Sequence, residues 1–470
     1  MKLKRWIKAG GAFMALLLAS PGAQAADLSL QEAINLALTQ NTGLKVTQKG
    51  EDTAKYALEK ARGSNGVSVG LSDTLSTTKN KDSDRQDSNS VGITGKLPLY
   101  TGGKNQASIK SAKIGVESAS LQTQRAQEDL KLNVIKAYYN ALEAQKTVGV
   151  RQETVDKYQE HFTNVSQLYA AGSKARIDVI RSQVELSNAR QNLIKAENSY
   201  ELELADLRNY LNIDRSEPLN LTTDFSYLAF DQDMGTCLDY AYRNRKDLLV
   251  DKNKLEQQEQ AIKEAKAGYL PTLNLSVGLN SSQKFHPSSE NSHGATASVG
   301  LSWSIFDSGV TRAQVKTAET SRDVAKLNYL KDKEAIDLAV RQAYYNMREA
   351  EKRFNSTQDA VHQAEEDAFI AREKYRAGEG LMLDIIDAQE ALSTARLNYI
   401  SAQYDYARYK ATVENAIGVE LTAEEKQAAA LLETDADAAL AQSRLGSSND
   451  TTVDSTRKVA EELAGNEGNK

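Results

Sequence analysis

Three carboxylates stand just beyond two glycine-marked breaks in otherwise uninterrupted helical sequence. Asp178 follows Gly172 and Ser173, while Asp384 and Asp387 follow Gly378 and Glu379. Gly172 and Gly378 suit helix C′ positions, where a positive φ costs glycine nothing. The aspartates then open the returning helices, where the helix dipole favours a negative charge by roughly a few tenths of a kcal/mol. Asp384 and Asp387, three apart, also share a helix face and can act together on a passing ion. Arg176 and Arg181 are the nearby cations, and Arg181 occupies the place that Asp387 takes 206 residues later. Nothing else has the spacing of chemistry. His161, His286, His293 and His362 are scattered, without metal-ligand spacing, and are expected as solvated surface residues. Thr101-Gly102-Gly103-Lys104 lacks the first glycine of a phosphate loop and reads as a strand-to-helix turn, as does Asp307-Ser308-Gly309-Val310. The expectation is no catalytic residue, no metal and no cofactor.

The elements that carry these turns are written twice. Ala137-Tyr138-Tyr139-Asn140 returns as Ala343-Tyr344-Tyr345-Asn346, Tyr169 and Gly172 return as Tyr375 and Gly378, and Asp178 returns as Asp384, always 206 positions on. A constant offset over some eighty residues leaves no room for insertions, and two long copies imply pseudo-symmetry within the chain. The doubled tyrosines Tyr138, Tyr139, Tyr344 and Tyr345 read as helix-packing residues rather than as a ligand cage.

Lys2, Lys4, Arg5 and Lys8 precede the apolar run Ala12 to Ala19, and Ala23-Gln24-Ala25 offers small residues for cleavage. This is the pattern of a secretory signal peptide, residues 1–25, too short for a retained membrane helix. Its removal takes away four positive charges and no acid, moving the formal charge from −6 to −10. An acidic chain argues against nucleic acid, and a single cysteine, Cys237, forms no internal disulfide. No later apolar run is long enough for a transmembrane helix, so any entry into a membrane must be by strands.

Such strands are present. Val67, Val69, Leu71 and Leu75 alternate with polar residues, as do Val91, Ile93, Leu97 and Leu99, then Leu273, Leu275, Val277 and Leu279, and finally Ala295 through Ile305 by way of Val299, Leu301 and Trp303. Period-two alternation gives each strand one apolar face, and about ten residues suffice for a tilted strand to cross a bilayer. Polar loops, 77–90 and 281–294, join each pair, and Tyr100 and Phe306 mark equivalent strand ends, where membrane barrels place aromatic girdles. A soluble β-sandwich is the other reading of the same pattern. Four strands cannot close a barrel, for which roughly eight are needed, and open edges are not tolerated in lipid. Three chains would supply twelve strands.

The remainder is helix. From Val310 to Ala377 there is neither Gly nor Pro, and Lys104 to Ala171 contains no Pro. Sixty-eight residues at about 1.5 Å each reach on the order of 100 Å, a coiled-coil length rather than a domain-core length. Shorter helices are expected over Leu30–Arg62, opened by the capping box Ser29-Leu30-Gln31-Glu32, over Arg176–Arg208, Gly235–Ala267 and Leu383–Ile417. The resulting division is 26–63 helix, 64–103 hairpin, 104–211 long helical hairpin, 212–234 linker, then 235–268, 269–309 and 310–420 in the same roles, and an acidic, partly disordered tail at 421–470.

The Leu28-to-Ala33 opening, the two strand hairpins and the two Tyr-x-Ala-Gly…Asp turns, in duplicate and in order, resemble the TolC-like outer-membrane efflux proteins over nearly the whole chain up to about Glu420. The resemblance implies a mainly α fold with a β-barrel portion: a homotrimeric 12-stranded barrel in outer-membrane lipid, continued through the periplasm by a 12-helix α-barrel. It implies a passive exit duct with a periplasmic adaptor and an inner-membrane transporter of RND or ABC type docked at its tip, where Gly172, Ser173, Gly378 and Glu379 lie. It also implies a gate at that tip. Asp384 and Asp387 would face the pore, and Tyr375 would hydrogen-bond to Asp178. Gly380 and Ile177 depart from the family's arginine and threonine, leaving Arg176 or Arg181 to supply the cation. A protein-secretion duct of the same fold and a periplasmic coiled-coil rod are the alternative readings.

Overall fold

The computed structural model describes residues 26–79, 85–214, 219–286 and 289–427. The signal-peptide expectation and the end of the tail, 428–470, lie outside the described residues.

Alternating sequence forms a four-stranded antiparallel sheet, and helical sequence forms most of the rest. The elements are β1 (Ala26–Leu28), α1 (Leu30–Gln40), α2 (Thr42–Gly63), β2 (Ser68–Thr78), β3 (Gln86–Tyr100), α3 (Lys104–Ala170), α4 (Arg176–Leu211), β4 (Leu219–Leu221), α5 (Met234–Asn244), α6 (Lys246–Lys266), β5 (Thr272–His286), β6 (Glu290–Ser302), α7 (Val310–Arg376) and α8 (Met382–Ile417). The sheet order is β2-β3-β5-β6, so β2 and β6 have free edges among the described residues. Its register sets Leu71 beside Ile93, Ile93 beside Leu279 and Leu279 beside Ala295. None of the described residues covers that apolar row: Leu71 is 73% exposed and Leu279 59%. The ladder also runs through the polar stretches expected as loops, with β5 reaching His286 and β6 starting at Glu290. Backbone pairing does not require apolar side chains. At the other end β6 stops at Ser302, short of the expected Ile305, and Trp303 Nε1 turns back to donate to Tyr269 O at 3.0 Å.

The two expected shorter helices in front of the hairpins are each broken. Asn41 (φ −61°, ψ 123°) ends α1, and its Oδ1 accepts from Leu44 N at 3.1 Å to start α2. An extended residue that caps the next helix divides the run without interrupting its helical periodicity. Arg245 does the same between α5 and α6 with no side-chain cap. The Ser29–Glu32 capping box forms as expected, with Ser29 N donating to Glu32 at 2.9 Å.

α3 and α7 are each 67 residues long, and α4 and α8 each 36. Along α3 the buried stripe is Leu130, Val134, Ala137, Tyr138 and Ala141, and along α7 it is Ile336, Val340, Ala343, Met347 and Ala350. Spacings of three and four keep each stripe on one helix face, and each packs into its own core at the waist of the molecule. Tyr138 is fully buried there, its hydroxyl donating to Leu28 O and accepting from Thr223 N, both at 2.9 Å. That pins the small parallel β1–β4 sheet, absent from the sequence reading, to α3. Tyr139 and Tyr344 pack against the cores, whereas Tyr345 is exposed. The expected tail begins with packed structure instead. Leu421 joins the first core, Thr422 caps a helical turn at 423–427, and buried Glu425 pairs with Lys131 at 2.9 Å.

Candidate functional site at the helical turns

Both turns close by the same backbone bonds. Ser173 N donates to Leu168 O at 2.8 Å after Gly172 (φ +73°), and Glu379 N donates to Lys374 O at 2.9 Å after Gly378 (φ +82°). Six-to-one bonds of this kind with a left-handed glycine terminate a helix cleanly. Gly380 is needed for a different reason. A Cβ there would lie 2.8 Å from Tyr375 N and 3.1 Å from Lys374 C, backbone atoms that cannot yield. The turn as folded therefore excludes an arginine at 380.

Asp178 accepts from Ala175 N at 3.3 Å and Asp384 from Leu381 N at 2.9 Å, so each carboxylate caps its own helix. Asp387 makes no hydrogen bond among the described residues and is exposed, as is Asp384. Arg176 and Arg181 are exposed too, and neither is ion-paired among the described residues. The two turns differ in charge. The first, 172–181, sets Lys174, Arg176 and Arg181 against Asp178 alone, while the second, 378–387, holds Glu379, Asp384 and Asp387 with no base.

No hydrogen bond joins Tyr375 to Asp178 within the chain, contrary to expectation: Asp178 is engaged at the helix start, and the Tyr375 hydroxyl is buried without a partner. Tyr375 instead lies against His161 of α3, ring centroids 5.6 Å apart, with Lys174 Nζ 4.3 Å from its ring centre. A cation over a tyrosine face is attracted by the ring quadrupole. Within the chain the cation over Tyr375 is Lys174, the repeat equivalent of Gly380. His161 is half-buried rather than solvated, and burial holds its imidazole below the ordinary value. His286, His293 and His362 are exposed as expected.

Above this cluster Tyr158 is buried with Val155, Leu186 and Ala189. Burial pushes its hydroxyl up to about 12, and the charges of Glu185, Glu390 and Asp387 add to the shift. Higher still, arginines link the helices. Arg396 of α8 binds Glu153 of α3 at 2.6 Å and Glu365 of α7 at 2.8 Å. Arg408 binds Glu143 at 2.6 Å, and Arg353 binds Asp405 at 2.8 Å. Sequence reasoning missed Lys174, His161, Arg396 and Arg408. Only the first had a signal, its place 206 residues before Gly380.

The arrangement offers charge, bracing contacts and a seam between helices. Among the described residues no three metal-ligating side chains converge, and no helix is long and apolar enough to cross a membrane. Comparison with known proteins fits this geometry. Residues 33–212 and 237–419 match the family model described as outer membrane efflux protein. Escherichia coli TolC is 23% identical over 316 residues, 65% of this chain and 64% of that protein, so the aligned part spans just under two thirds of the relative's length. The toxin and drug export protein A of Aggregatibacter actinomycetemcomitans is 23% identical over 83% of this chain and 85% of its own. In fold, the chain superimposes on the Campylobacter jejuni CmeC outer membrane channel with a TM-score of 0.76 at 19% identity, covering 86% of this chain and 89% of that one. With both halves matched by the family model, the chain belongs to the outer membrane efflux protein family.

Proposed function

We propose that three copies of the chain form a passive duct across the outer membrane, through which an efflux or secretion system exports its cargo. The observation that carries this reading is the four-stranded sheet, with its uncovered apolar face and two free edges, set at one end of helices far longer than a compact domain needs. Lipid would cover the face, and only neighbouring copies would satisfy the edges. The helical end has free flanks of the same kind. Ile180, Val184, Ile194 and Leu202 of α4 are exposed, and so are Val324, Leu338 and Tyr345 of α7, spaced in multiples of seven. Such a stripe suits a coiled-coil seam. Three chains would give twelve strands and twelve helical columns.

At the tip, trimer symmetry would alternate basic first turns with acidic second turns. Asp384 and Asp387 from three chains would form a six-carboxylate ring, and acidic rings favour cations. Arg176 and Arg181 would face the neighbouring acidic turn, with Asp178 capping its helix and Tyr375 held by Lys174. The turn residues Gly172, Ser173, Gly378 and Glu379 would meet a periplasmic adaptor, which would join the duct to an inner-membrane pump. The cargo lies with that pump: the Aggregatibacter relative is named for both toxin and drug export. Planar-bilayer recording on purified protein tests the reading. Discrete, cation-preferring openings from a trimer are expected, and a detergent-free soluble monomer without channels would overturn it.

A further inference from the structure

We infer that the cavity between α3, α7 and α8 at the turn end is a binding pocket for a small aromatic carboxylate. The cavity holds about 680 Å³, within the roughly 300–1,000 Å³ of small-molecule sites. Tyr158 and Leu168 of α3 give its lining an apolar part that can take a ring. The lining also carries Arg372 of α7, which has no ion-pair partner among the described residues, and Lys157 of α3, whose nearest carboxylate, Glu160, lines the same cavity 3.9 Å away. Two further lining residues, His161 and Tyr375, bury Nε2 and the hydroxyl without a hydrogen-bond partner among the described residues. Unmet buried polar groups cost as much as lost hydrogen bonds, so a ligand that supplies partners gains where an apolar one does not.

The chemistry of the ligand follows from these groups. A guanidinium presents a planar fork that matches a carboxylate, and the Tyr375 hydroxyl can donate to the same oxygens. The tyrosine and histidine rings favour an aromatic body over an aliphatic one. An amine would meet three lining cations, Lys157, Arg372 and Arg376, against one lining carboxylate, Glu160. Because lining residues come from three helices, an occupied pocket would tie α3 to α7 and α8. Binding itself does not depend on the duct reading, since it can be measured on purified protein without conduction.

Isothermal titration calorimetry on the detergent-purified full-length protein tests this with benzoate, benzylamine and sulfate. Benzoate should bind saturably at millimolar concentration and benzylamine should not. Arg372→Gln, at a part-exposed residue with no ion pair to lose, should weaken benzoate about tenfold, the size of one charge-assisted hydrogen bond. Tyr375→Phe should weaken it several-fold while preserving the ring contact with His161. The inference is overturned by absence of saturable benzoate binding to the parent, by unchanged affinity in Arg372→Gln, or by sulfate competing as well as benzoate, which would make the site a plain cationic patch.

Discussion

The seam between α3 and α8 is built in two ways along its length. At the waist it is tied by partners that leave little freedom. Arg408 of α8 reaches Glu143 of α3, Tyr404 is buried with its hydroxyl on Asp224, and ring contacts join Tyr404 to Tyr139 and Phe225. Toward the turns the ties thin out. The last ion pair across the seam among the described residues is Arg396–Glu153, followed by Thr154–Ser393 at 3.3 Å, the small Tyr158 cluster, and then a cavity lined by Tyr375 in tilted contact with His161. On the proposed reading, a duct that holds its waist while its tip opens would need that gradient, because local stability follows local packing. The tip is where movement would cost least.

Breaking the waist should therefore hurt most. Tyr404→Ala removes a large buried ring and should cost about 3–5 kcal/mol, seen as a marked fall in melting temperature of the detergent-solubilised protein. A loss under about 1 kcal/mol would mean that the waist core is not what holds the seam. Next comes the charge ladder. Arg408→Ala leaves partly buried Glu143 without its cation and Asp405 with Arg353 alone, and should cost about 2 kcal/mol, whereas Arg396→Ala, whose partners are half-exposed, should cost under about 1 kcal/mol. Equal effects in thermal melts would erase the gradient.

At the tip, function should separate from stability. Replacing Asp384 and Asp387 together by Ala should change stability by no more than about 1 kcal/mol, the value of one helix cap. The same double variant should lose cation preference in matched salt gradients. An unchanged reversal potential would place the selective ring elsewhere and leave these aspartates as helix-start residues only.

Acid gives the finest contrast. His161 carries a lowered value through burial, so the folded tip binds fewer protons than the unfolded chain there. Its contact with Tyr375 is kept above the ordinary histidine value of 6.5 and weakens as pH falls below it. Beside the end of α8, Glu420 is pulled down to about 2, first by its hydrogen bond to Lys246 and then by Lys426. That contribution is present above the ordinary value of 4.5 and is lost only as pH falls toward 2; half exposure keeps it small. Hydrogen exchange corrected for intrinsic rates should show the α3–α7 tip loosening between pH 7 and 5 with the waist unchanged. His161→Gln should remove that step, and its persistence would assign the pH response to other groups.

Much of this molecule can be read without coordinates because its rules are local. Period-two alternation marked the hairpins, the absence of Gly and Pro marked α3 and α7, and Gly172 and Gly378 marked the turns, where a positive φ is required. Each depends on a residue and its near neighbours, and the 206-residue offset multiplied every signal by two. The limits of those elements were less legible. A strand edge runs on through polar residues because backbone bonds carry it, and Asn41 breaks a helix while looking like part of one. What only the tertiary structure decided is which side chains from distant elements meet. Tyr138 finds Leu28 and Thr223, Glu425 finds Lys131, and Lys174 rather than Arg176 or Arg181 covers Tyr375. Helices 67 residues long can be aligned in many registers, and charged residues occur along all of them. The register that places Arg408 against Glu143 is set by the summed packing of both waist cores, a property of no short stretch of sequence.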